Sequence, residues 1–69
     1  MGYCVVTGAV EAVSIKSARV RVESVDGQTA TGVDWFPLSQ CEELEGAEPG
    51  DDVEFDCPTW LLEEKEVDW

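Results

Sequence analysis

The side chains in this sequence that are able to do chemistry are carboxylates and thiols. The 69 residues include 16 Asp and Glu against 4 Lys and Arg, with no His, for a net charge of −12. Three cysteines, Cys4, Cys41 and Cys57, complete the set. Covalent catalysis by a thiol needs a base beside it, and there is no His, no Gly-rich phosphate loop and no nucleophile elbow. A carboxylate pair can do acid–base work only where an apolar pocket raises the pKa of one partner, and a chain this short has little room for one. No enzymatic activity and no cofactor are expected. The cysteines are widely spaced without a CxxC pair, which argues against zinc. They read as reduced thiols, each a small buried apolar group, with one disulfide plus a free thiol as the alternative.

The carboxylates are unevenly placed. Residues 42–68 hold twelve of them (Glu42, Glu43, Glu45, Glu48, Asp51, Asp52, Glu54, Asp56, Glu63, Glu64, Glu66 and Asp68) against Lys65 alone. The preceding 41 residues are nearly balanced, with Glu11, Glu23, Asp26 and Asp34 facing Lys16, Arg19 and Arg21. Leu44, Val53, Phe55, Cys57, Trp60, Leu61 and Leu62 run through the acidic part, whereas a disordered acidic tail is poor in such residues. The charge therefore belongs to a folded surface. A solvated face is the bland reading, but the excess goes beyond the net charge of about 2–8 that keeps a small domain soluble. Negative sign argues against direct binding to nucleic acid or to an anionic membrane and favours a basic partner. The candidate partner-binding residues are Glu42, Glu43, Glu45, Glu48, Asp51, Asp52, Glu54, Asp56, Glu63 and Glu64. Divalent-cation binding by Asp51, Asp52, Glu54 and Asp56 is disfavoured, because no EF-hand spacing is present and alternating strand positions do not wrap an ion.

The elements that must position these groups are mostly strands. YCVVTGAVEAV, residues 3–13, is rich in β-branched and small residues, with Val6, Val10 and Ala12 on one parity and Val5 and Val13 on the other. Gly8 between them predicts a bulge or bend where the inward face changes. After the short link 14–17, Ala18, Val20 and Val22 alternate with Arg19, Arg21 and Glu23, a clean period-2 strand. Asp26-Gly27 is a two-residue hairpin signal. The return strand, residues 28–35, places Thr29, Thr31, Val33 and Trp35 on one parity, and Pro37 ends it. Leu38, Cys41 and Leu44 recur every three residues, which predicts a helical turn capped by Ser39 with Glu42 in capping-box position. Pro49-Gly50-Asp51 is a turn.

Val53, Phe55 and Cys57 then alternate with Asp52, Glu54 and Asp56, the sharpest strand signal in the chain. A two-turn helix over residues 58–65 follows, opened by Pro58, and Val67-Asp68-Trp69 is a tail able to dock back. Trp35, Phe55 and Trp60 have the parity or spacing of core residues. The expected architecture is one domain, residues 1–69, mainly β (α+β): a small antiparallel sheet or partly open OB-like barrel of about four strands with one short C-terminal helix. No basic start followed by an apolar run and no membrane-length apolar stretch are present, so a cytoplasmic location is expected.

As a series of parts, Gly8-Ala9-Val10, Phe36-Pro37-Leu38-Ser39, Pro49-Gly50-Asp51 and Thr59-Trp60-Leu61-Leu62 resemble small OB-like domains of phage and bacterial origin, distantly similar to S1-type barrels. Such barrels bind single strands through aromatics set in a basic groove, which this acidic surface does not offer. In size and charge the chain also resembles the small acidic proteins of mobile elements that include anti-CRISPR proteins and other DNA mimics. That second resemblance implies an inhibitor in a bacterial host cell, acting as monomer or weak dimer on the Lys/Arg-rich DNA-recognition site of a defence complex, without binding nucleic acid itself. The alternative is an OB-like accessory module that binds protein or single-stranded nucleic acid through Lys16, Arg19 and Arg21.

Overall fold

A computed structural model describes residues 2–65 and 67–69 and shows a mainly β architecture. The strands are β1 (Tyr3–Val13), β2 (Ser17–Val25), β3 (Gln28–Pro37), β4 (Asp52–Pro58) and β5 (Val67–Asp68). A 3-10 turn (Glu42–Leu44) precedes β4, and the helix α1 (Thr59–Glu64) follows it. The strands form one open antiparallel sheet in the order β4-β1-β2-β3-β5, so β4 and β5 are its edges. The expected tail is thus a fifth strand: Val67 and Asp68 pair with Gly32 and Thr31 of β3.

β1 carries the architecture because it pairs along its length with β2 on one side and β4 on the other. The register with β2 shifts between Thr7 and Gly8, as the glycine predicts. The inward face does not change there, however: Cys4, Val6, Gly8 and Val10 all point into the core, and Val5 and Val13 are exposed. The reason is close approach rather than a change of face. A Cβ at Gly8 would run into the backbone carbonyl of Arg21, so only glycine lets the two strands come together at the bulge.

The β2–β3 hairpin closes at Asp26 and Gly27 with φ of 52° and 81°, the paired positive φ values of a type I′ turn. Asp26 also accepts a bond from the Val5 N–H through Oδ1 at 2.8 Å, tying this turn back to β1. The segment after β3 departs from expectation. Its 3-10 turn has Cys41 at the N-cap, with no side-chain cap, and Ser39 lies exposed before it. Leu44 and Cys41 are buried and Leu38 partly so, and this packing holds the turn in place of a capping box. Pro58 closes β4 and stands at the N-cap of α1, whose Leu61 and Leu62 are buried.

The core lies on the inner face of the sheet under the 3-10 turn and α1. Phe36 from β3 and Phe55 from β4 meet edge-on, with ring centroids 5.3 Å apart at 68°, a geometry that adds about 1 kcal/mol beyond area burial. The Lys65 ammonium sits 5.8 Å from the Phe36 ring centre. Phe55 is buried as its parity predicts, but Trp35 and Trp60 are 38% and 47% exposed. On β3 the inward residues are Ala30 and Phe36, opposite the buried Ala18, Val20 and Val22 of β2, which leaves Trp35 outward.

Gly8→Ala tests the close approach. Separating β1 from β2 at the bulge is expected to cost about 2–4 kcal/mol, read as a lowered midpoint in urea or thermal unfolding followed by far-UV circular dichroism.

Candidate functional site

The alternation on β4 holds. Asp52, Glu54 and Asp56 are exposed, while Phe55 and Cys57 are buried and Val53 is partly buried. Side chains two apart on a strand are separated by about 6.7 Å, so the row is roughly 13 Å long on a body whose longest extent is 26 Å. Alongside it on β1 stand Ala9, Thr7 and Val5, the register partners of Asp52, Glu54 and Asp56. None of these carries charge.

Beyond one end of the row, the turn before β4 adds two further carboxylates. Glu42, Glu43 and Asp56 line one cleft of about 290 Å³ together with Tyr3, Ser39 and Gln40. Tyr3 arrives there because it pairs with Pro58 across the β1–β4 ladder, 55 residues away in sequence. Tyr3 is 69% exposed. A cationic side chain entering this cleft meets carboxylates from two segments and an aromatic face, the elements of charge-assisted and cation–π contact. Sequence spacing gives no sign of Tyr3's part, since only strand pairing puts it beside Asp56.

The other candidates disperse. Glu45 lines a separate groove with Ile15, Lys16, Ser17, Pro37, Leu38 and Ser39. Asp51 accepts a bond from the Glu48 N–H at 2.9 Å through Oδ2, which closes the turn before β4. Glu63 lines a shallow recess with Gly2, Thr59 and Trp60. Glu64 is exposed on the last turn of α1. Glu66 lies outside the described residues.

Several carboxylates also serve the main chain. In an antiparallel ladder, hydrogen-bonded and outward-facing residues alternate. The Thr59 N–H bond to the Gly2 carbonyl, 3.0 Å, sets the phase between β1 and β4 and turns the main chain of Asp52, Glu54 and Asp56 towards the open edge. There the Asp56 N–H donates to Glu43 Oε1 at 3.3 Å. At the other side of the sheet the Leu38 N–H bond to the Lys16 carbonyl sets the β2–β3 phase, and the outward Trp35 N–H donates to Asp34 Oδ1 at 2.7 Å. Unpaired edge groups invite strand addition, and a carboxylate on each blunts it.

The two arginines are less free than the sequence suggests. Arg21 donates to Glu11 Oε2 through Nε at 2.9 Å, and Arg19 Nε lies 3.7 Å from Glu11 Oε1. Glu11 was not among the candidate residues; its place between two arginines depends on the β1–β2 register. Among the described residues, no three His, Cys, Asp or Glu side chains are grouped to hold a metal ion. No described helix is long and apolar enough to cross a membrane.

All three cysteines are buried as free thiols. Cys4 lies 3.4 Å from the Thr59 hydroxyl. Cys57 Sγ donates to the Pro58 carbonyl at 3.6 Å. Interaction with the Cys57 thiol, burial and the neighbouring Glu43 push the Cys41 thiol up, while interaction with Cys41 lowers Cys57. No protein-family model, curated protein or solved structure matches the chain.

Since the exposed face carries far more negative than positive charge, added salt is expected to raise the unfolding midpoint by screening self-repulsion. Thermal melts across a sodium chloride series check this. A falling midpoint would show that the Glu11 pairs outweigh the repulsion.

Proposed function

We propose that the chain is a non-enzymatic inhibitor whose acidic surface occupies the Lys/Arg-rich DNA-recognition site of a host defence complex and blocks target DNA, an anti-CRISPR protein of the DNA-mimic kind. The supporting observation is the cleft in which Glu42 and Glu43 of the 3-10 turn meet Asp56, at the end of the exposed Asp52, Glu54 and Asp56 row.

Charge density supports this extent of surface rather than the strand alone. Duplex DNA carries one charge per about 1.7 Å of axis, so a 13 Å stretch holds roughly eight. Three carboxylates fall short of that. The cleft adds Glu42 and Glu43 at one end, and the turn adds Glu48 and Asp51 before the other. A basic channel would be attracted to such a face at long range and would lose that attraction in salt. The mechanism is competition, with no bond made or broken.

The alternative, an OB-like accessory module that binds protein or single-stranded nucleic acid through Lys16, Arg19 and Arg21, has weaker support. Glu11 lies against both arginines.

A gel shift with a CRISPR effector and its target duplex separates the two readings. The protein is expected to displace DNA from the effector, less so as salt rises, and to leave oligonucleotides unshifted by itself. A shift of the oligonucleotide by the protein alone would favour the alternative. Glu54→Lys combined with Asp56→Lys is expected to weaken competition by on the order of tenfold or more, with the circular dichroism spectrum unchanged. Full competition by that folded variant would remove the β4 row from the site.

A further inference from the structure

The tip of the β1–β2 hairpin presents an isoleucine to water: Ile15 is 95% exposed. The loop that carries it is held fast. The Ser14 N–H donates to the Ser17 carbonyl at 2.8 Å, and the Ser17 N–H donates to Ser14 Oγ at 3.1 Å. The Leu38 N–H donates to the Lys16 carbonyl at 2.8 Å, which fastens the tip to the segment after β3. Ile15 is therefore displayed on a fixed backbone, and little loop ordering remains to be done when it is covered.

Ile15 lines a groove of about 790 Å³, to which Pro37 and Leu38 add apolar surface and Lys16 and Glu45 add one charge of each sign. Among the described residues, neither the Lys16 nor the Glu45 side chain has an ion-pair partner. We infer that this groove is the interface of a weak twofold dimer, its occupant a second copy of the chain.

Charge decides the occupant. An acidic chain repels its own copy wherever carboxylates face carboxylates. Here one lysine and one glutamate flank the apolar residues, so the patch is complementary to itself. In an isologous contact the same patch meets on both sides, and each contact is made twice. A twofold axis through the groove sets Lys16 of each copy against Glu45 of the other and covers both Ile15 side chains. A strongly basic partner gains less at this place, because Lys16 repels it. A contact built on so few residues falls at the weak end of interface sizes, below about 1,200 Å². The inference does not rest on the inhibitor reading, since the mass is measured with no partner present.

The test is sedimentation equilibrium at about 0.15 M salt, where a Debye length of about 8 Å screens long-range repulsion and leaves contact pairs in place. The average mass is expected to climb from one chain towards two between micromolar and millimolar concentration. Ile15→Asp is expected to weaken association on the order of tenfold or more, with the circular dichroism spectrum unchanged. Lys16→Glu and Glu45→Lys should each weaken it alone, since each variant brings like charges together. All three positions are exposed, so folding is not at stake. An equimolar mixture of the two charge variants should dimerise again, because both contacts then pair unlike charges. Both chains remain strongly acidic, so general attraction does not produce that result. A wild-type chain that stays single throughout, a dimer that survives Ile15→Asp, or a mixture no stronger than either variant alone would each overturn the inference.

Discussion

The structure depends on the close pairing of β1 with two partners at once. β2 follows β1 directly in the chain, but β4 comes nearly forty residues after it, and both take their register from β1. The bulge at Gly8 makes this compatible with a continuous inner face, because the missing side chain lets the Arg21 carbonyl pass close by. The pairing brings Phe55 to Phe36 and Tyr3 to the acidic cleft. A chain this small buries only about 60% of its unfolded surface, so it has little else to hold it together.

The abundance of carboxylates takes on two roles in this frame. Some are used internally: Asp26 ties the hairpin to β1, Asp51 closes a turn, and Glu43 and Asp34 satisfy outward N–H groups at opposite sides of the sheet. An open sheet has two edges at which like chains would add, and negative charge at both, with one outward N–H at each side held by a carboxylate, works against that. The row Asp52, Glu54 and Asp56 does not hold the main chain in these ways. It faces solvent from one edge strand, where self-repulsion costs stability. That contrast is what directs a functional reading to β4 and its neighbouring turn rather than to the charge as a whole.

Period-2 patterning made much of this readable beforehand. The alternation around Phe55 and that around Val20 place their strands and faces correctly, and Asp26-Gly27 turns as its chemistry requires. Trp35 misleads because its strand has weak contrast: threonines occupy the same parity, while Ala30 and Phe36 define the inward one only against β2. Leu38, Cys41 and Leu44 signal a turn correctly, yet burial rather than a Ser39 cap sets where it begins. Val67 and Asp68 are too short to signal a strand, and become one because β3 offers an edge.

Local sequence, then, determined the strands, the hairpin and the exposed acidic row, since these follow from side-chain alternation and turn conformation over a few residues. It also determined the excess of negative charge. Only the tertiary structure decided which charges act together. Glu42 and Glu43 join Asp56 while Glu45 turns to another groove, Glu11 reaches Arg19 and Arg21, and Tyr3 completes the cleft. Each of these depends on pairings between segments distant in the chain, and pairing register is set by packing of the whole sheet rather than by neighbours in sequence.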